Sequence, residues 1–258
     1  MPRFAANLSM MFNEWSFLDR FAAAADAGFN AVEFLFPYDF SVEDVAGKLK
    51  AAGLEQALFN LPPGDWAAGE RGIAALPGRQ DEFRASVMKA LDYALATGVK
   101  RLHMMSGLAP SHSAEAGEIY RDAVRMACAT MEPHGIDIVL EPINRRDMPG
   151  YFLNDFGMAA AIIGELGLPN LKLQFDIYHR QILHGDVTKG LEELLPITGH
   201  IQIASVPLRN EPGTGELDDF RIFDLLDRLG YDGFIGCEYR PAGPTLEGLG
   251  WMQKTTLR

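Results

Sequence analysis

Four oxygen-bearing side chains stand where short apolar runs end. Glu141 follows the IDIVL run, Asp176 closes LKLQF, Gln202 lies within HIQIA, and Glu238 follows FIGC. A carboxylate at the edge of an apolar run is costly unless a counter-charge or hydrogen bonds reach it. Taken singly, each reads as a salt bridge or a strand-end cap. Brought to one rim, three carboxylates would repel one another strongly, and a divalent cation resolves that repulsion. The donors are all hard oxygens with no thiolate among them, which favours Mg²⁺ or Mn²⁺ over Zn²⁺. Glu141, Asp176, Gln202 and Glu238 are therefore the expected metal ligands.

The elements that must position these residues follow one repeating pattern. A short apolar or β-branched run is followed by a loop and then by a stretch of helical period, from end to end of the chain. The spacing predicts strands at 3–8, 31–35, 54–60, 99–105, 136–141, 171–176, 200–204 and 234–239. Helices are expected at 15–27, 41–52, 80–97, 115–133, 155–166, 188–195 and 218–229. The clearest is 80–97, where Phe83, Val87, Ala90, Leu91, Ala94 and Leu95 recur at helical spacing before Gly98. Strands alternating with helices need right-handed parallel crossovers, and eight such units close into a (β/α)8 TIM barrel. The alternative is an open doubly wound sheet. In a barrel the C-terminal strand ends share one rim, which is where the four donors stand.

A chain of 258 residues is close to the ~250 that one eight-unit barrel needs, and no linker or low-complexity tract divides it. The reading is a single domain over 1–258. The longest connection, 61–79, has the length of a lid or binding loop. A net charge of −12 would repel a phosphate backbone and argues against nucleic-acid partners. Cys128 and Cys237 have no metal or disulfide spacing, and no apolar run is long enough for a membrane span. A cytoplasmic protein without membrane partners is expected. His103 has two readings, a residue that reaches the pocket and, the favoured one, a hydrogen-bonded core histidine; Cys237 reads as a buried thiol. The EPGTGE segment at 211–216 reads as a turn, because its acids would oppose a phosphate.

Several long strings together resemble one family. NLSMMF, VEFLFPYDF, FNLPPGDWAAGERGIAALPGR, EPIN, QFDIYH, HIQIAS, EPGTGE and GCEYRP look like hydroxypyruvate isomerase, within the xylose-isomerase-like barrel superfamily. The resemblance runs from Met1 to about Trp251. It implies interconversion of hydroxypyruvate with tartronate semialdehyde, with Glu141 and Glu238 as the acid/base pair. It also implies metal ligands at Glu141, Asp176, Gln202 and Glu238, the four reached above from strand ends. Moving a carbonyl to the adjacent carbon means removing one proton, holding an enediolate and returning a proton next door, which two carboxylates can do.

A keto-acid substrate is an anion, so a cationic group must meet its carboxylate. Arg209 follows the seventh run, Arg240 lies two residues beyond Glu238, and Arg71 and Arg79 sit in the long loop. His179, three residues after Asp176, is placed to hydrogen-bond a substrate oxygen. His179 and Arg209 rank first. Neighbouring activities on the same scaffold are a 2-oxo-tetronate isomerase and a ketose 3-epimerase. The epimerase relatives typically carry histidine as third ligand where this chain has Gln202. Endonuclease relatives hold several zinc ions with more histidines and a basic groove, which this acidic chain lacks. The resemblance also admits a homo-oligomer.

Overall fold

The computed structural model describes residues 2–256. The domain reading of 1–258 also takes in Met1, Leu257 and Arg258, which lie outside the described residues. Eight strands, β1 (Arg3–Asn7), β2 (Ala31–Phe34), β3 (Glu55–Asn60), β4 (Arg101–His103), β5 (Asp137–Leu140), β6 (Leu171–Asp176), β7 (Thr198–Ile203) and β8 (Phe234–Cys237), close into a barrel in chain order. Every neighbouring pair is parallel, and β8 returns to pair with β1. The open-sheet alternative is thereby excluded.

The outer layer contains α1 (Arg20–Asp26), α2 (Val42–Ala51), α3 (Gln80–Thr97), α4 (Ala114–Met131), α5 (Phe156–Leu166), α6 (Ile177–Leu183), α7 (Val187–Leu194) and α8 (Asp219–Arg228). Two short helices, α9 (Thr245–Gly248) and α10 (Gly250–Thr256), end the described chain. Helix α3 buries Phe83, Val87, Ala90, Leu91 and Ala94 as its spacing predicts, whereas Leu95, expected on the same face, is exposed; the helix stops at Gly98, which takes the left-handed φ of 73°. Ser41, Ser113 and Asp155 cap α2, α4 and α5 through side-chain oxygens.

Two expectations shift. The helix expected over 15–27 starts only at Arg20, after a 3-10 turn over Phe17–Asp19. Helix α6 has no counterpart among the expected helices: the Asp176 carboxylate caps Tyr178 and His179, so β6 passes directly into a helix. One side chain therefore ends a strand and starts a helix.

Register decides what enters the barrel. Asp176 lies opposite Gln202, and Gln202 opposite Gly236; Asn7 lies opposite Glu33. Side chains at one level of a parallel barrel share a direction, so these residues face the lumen together.

Candidate active site

Glu141, Asp176, His179 and Glu238 converge at the C-terminal mouth, each offering an oxygen or nitrogen within 4.8 Å of the others. All four are buried. Glu141, His179 and Glu238 line a cavity of about 230 Å³ together with Asn60, His103, Asp147 and Arg209, walled by Met10, Leu35, Met105, Ile143 and Met148. Wider hollows of about 480 and 530 Å³ lie at the opposite end, around the strand N-termini, away from the acids.

The charge balance inside is unusual. Arg209 is bound to the Glu238 carboxylate, lies 3.8 Å from Asp176 Oδ2 and 3.6 Å from Asp147, and sits over the Tyr178 ring. Its backbone has a φ of 59°, a left-handed conformation that costs about 1 kcal/mol or more for a non-glycine residue. Burial works against this guanidinium, yet Glu238, Asp176 and Glu141 outweigh it and hold the proton more firmly. The acids move the other way. Burial raises Glu141 well above the ordinary carboxyl value, with Glu238 and Asp176 adding and Arg209 partly offsetting. Burial likewise lifts Asp176 to about 6 and Glu238 to about 8, both held back by Arg209.

Whether these groups suit a cation can be tested on their free atoms. Glu141 Oε1 and Asp176 Oδ2 are buried and accept no hydrogen bond. Unpartnered buried carboxylate oxygens facing one point, with a single arginine for three acids, fit a divalent ion.

Gln202, opposite Asp176 in the barrel register, is tied into a hydrogen-bonded floor. Its Nε2 donates to Glu33 Oε1 at 2.8 Å, and its Oε1 accepts from Gln174 Nε2 at 2.6 Å. Glu33, fully buried, also accepts from Asn7 Nδ2 at 2.9 Å and pairs with His200 Nε2 at 2.6 Å. Gly236 makes this possible, since a Cβ there would lie 2.1 Å from Glu33 Oε2. Sequence reasoning passes over Glu33, although a carboxylate inside the apolar AVEFL run meets the criterion that selects Glu141 and Glu238.

The other expected residues divide. Arg71 and Arg240 reach the cavity wall; Arg79 instead pairs with Glu70 and Glu82. His103 needs correction: it lines the cavity, its Nε2 is unpartnered, and it lies 3.5 Å from Glu141 Oε2. Burial pushes its imidazole down to about 3, so the ring is neutral. Cys237 is a buried thiol, as expected.

The long loop forms one wall. Trp66 packs on Phe36, ring centres 5.1 Å apart, with the Arg71 guanidinium 3.9 Å from its own ring centre. The second half is fastened to the end of β4: Ala75 N–H donates to Ser106 O at 2.7 Å, and Gly72 bridges Ser106. Gly72 has a φ of 96°, and a Cβ there would lie 2.3 Å from Met105 O. Backbone meets backbone at that point.

A parallel eight-stranded barrel with buried carboxylates and histidines at its C-terminal mouth is a (β/α)8 enzyme scaffold built around a candidate metal centre. The chain belongs to the family described as xylose isomerase-like TIM barrel, which it matches over residues 21–255. It is 54% identical over 255 residues to 2-oxo-tetronate isomerase of Cupriavidus necator, covering 98% of each chain. It is 44% identical over 254 residues to hydroxypyruvate isomerase of Escherichia coli, again over 98% of each. A crystal structure described as AP endonuclease, family 2, from Brucella melitensis superposes with a TM-score of 0.96 at 50% identity, covering 98% of this chain and 99% of the other. No helix among the described residues is long and apolar enough to cross a membrane.

Proposed function

We propose that the chain isomerises short 2-oxo acids bearing a hydroxyl on the next carbon, interconverting hydroxypyruvate and tartronate semialdehyde. The observation that carries this is the convergence of Glu141 and Glu238, from the ends of β5 and β8, around a small cavity edged by Arg209, Arg71 and Arg240. The reaction takes a proton from C3, returns one to C2, and passes the hydroxyl proton from the C3 oxygen to the C2 oxygen. Glu141 and Glu238 share the carbon proton transfers, and burial supports both roles by keeping a carboxyl able to hold a proton near neutral pH. His179 serves the substrate oxygens. Arg209, with Arg71 and Arg240 at the mouth, meets the substrate carboxylate.

Glu141, Asp176 and Glu238, with Gln202 beside them, would hold Mg²⁺ or Mn²⁺. Such an ion supplies Lewis-acid stabilisation of the charge that develops on the substrate oxygens.

The 54% identical relative favours a second reading, 2-oxo-tetronate as substrate. That acid adds one carbinol at C3 and uses the same bonds, so the choice rests on the wall formed by Trp66, Met105 and Met148. A nucleolytic role is opposed by the net charge of −12. Purified protein incubated in D₂O with hydroxypyruvate, with and without chelator, should yield tartronate semialdehyde carrying solvent deuterium at C2 by NMR. Parallel reactions with 2-oxo-tetronate and a ketose rank the substrates. No turnover or exchange of either acid would end the proposal.

A further inference from the structure

His179 has ring nitrogens facing two different surroundings, and which of them carries the proton decides what the side chain can do. Nδ1 lies 3.3 Å from the backbone nitrogen of Asn144 and 2.7 Å from its side-chain nitrogen. A backbone N–H can only donate. The Asn144 amide is oriented independently of His179, because its Oδ1 accepts the Asp147 N–H at 2.9 Å and its Nδ2 also donates to Asp147 Oδ2 at 3.3 Å. Two donors from one residue therefore point at Nδ1, which must present its lone pair. A proton on Nδ1 would oppose both.

It follows that the ring is neutral and its proton sits on Nε2. That nitrogen is 3.5 Å from Asp176 Oδ2 and 3.9 Å from Glu141 Oε1, both beyond a good hydrogen bond. Its N–H is left for something that enters between the acids. A nitrogen that holds a proton has no lone pair for a metal. His179 is thus withheld from a cation even though its Nε2 lies among the carboxylates.

We propose that Asn144 is a positioning residue that fixes the tautomer of His179, keeping Nε2–H as a donor to the substrate oxygens and leaving the metal an all-oxygen ligand set. The tautomer stands on hydrogen-bond geometry, while its use rests on the isomerase reading above. In the reaction, the hydroxyl proton must pass between adjacent oxygens, and a fixed N–H between Glu141 and Asp176 stabilises the oxygen that is negative at that moment.

The test is NMR of protein carrying nitrogen-15 histidine, near neutral pH, with His179 identified by the signals lost in His179→Gln. The wild-type ring should show the Nε2–H pattern and keep it when Mg²⁺ is added. An Nδ1–H pattern, or loss of the Nε2 proton on adding Mg²⁺, would overturn the proposal. Asn144→Asp keeps an acceptor for Asp147 N–H but turns a carboxylate oxygen toward Nδ1 at the 2.7 Å contact, which outweighs the backbone N–H that remains at 3.3 Å, so the ring should move to Nδ1–H. In that variant kcat should fall about 100-fold, the lower end of what a positioned proton donor contributes, with KM changed less than about threefold. Retention of Nε2–H by Asn144→Asp, or turnover equal to wild type after the tautomer has moved, would also overturn it. If that variant fails to fold, the wild-type spectra still decide. Absence of turnover on short keto acids would remove the isomerase reading, whereas the nitrogen-15 spectra would still establish or overturn the tautomer.

Discussion

Gly236→Ala is the sharpest test of the barrel floor. The new Cβ would lie 2.1 Å from Glu33 Oε2 and 2.4 Å from Cδ and Oε1, far inside van der Waals contact. Strand β8 has little freedom to yield, since Gly236 is in register with Ala5 on one side and Gln202 on the other. The Glu33 carboxylate is equally held, by Asn7, His200 and Gln202. Overpacking costs about 1–3 kcal/mol. Losing one hydrogen bond to a charged group adds about 1.5–3 kcal/mol. The total is about 3–6 kcal/mol, and with ~2.1 cal/mol/K of unfolding entropy per residue over the chain, Tm should fall by about 5–11 °C. Calorimetry on Gly236→Ala, Glu33→Ala and the double variant measures it. Removing the carboxylate removes the collision, so the glycine change should cost less than about 1 kcal/mol in the Glu33→Ala background. Equal losses in both backgrounds, or a Gly236→Ala protein melting within about 2 °C of wild type, would show that Glu33 is not what excludes a side chain at this position.

Four further outcomes are expected. Glu238→Gln should lower kcat by about 10² or more with an unchanged circular dichroism spectrum, and near-normal turnover would remove Glu238 from the proton transfers. Glu141, Asp176 and Glu238 keep protons in the metal-free fold that the unfolded chain releases, so metal-free stability should fall as pH rises from the ordinary carboxyl value toward 8. Metal must displace those protons, so Mg²⁺ affinity by calorimetry should climb over the same range, with proton release; affinity independent of pH would contradict the ligand set. Glu70→Ala should expose Arg71 and Arg79 to trypsin under native conditions, because Glu70 holds the Arg79 guanidinium and the Asp65 N–H; an unchanged digestion pattern would show the loop is held elsewhere.

The frame is readable because its signals are local. Each strand is an apolar run of its own, and Gly98 and Ser113 mark helix ends within a few residues. Glu141, Asp176 and Glu238 stand out because a charge beside an apolar run is conspicuous without knowing its neighbours. The floor is hidden because it is not local: His200 and Glu33 stand 167 positions apart, and only barrel closure makes them partners. His103 looks like core packing for the same reason, as its neighbour Glu141 arrives from the next strand. Asn144 is visible only as part of EPIN, and its use depends on a ring 35 positions later. Helix α6 escapes because seven residues are too few to display a period.

The seam joining Gly72 to Ser106 separates two jobs along one connection. At the seam the backbone is welded to the rim, and Gly72 has no room for even a methyl group; upstream, the Trp66 ring lines the mouth. Replacing Trp66 alone would resize the aperture for shorter or longer acids while Glu141, Glu238 and His179 beneath it stay as they are. Substrate range in this scaffold can thus drift without any catalytic side chain changing.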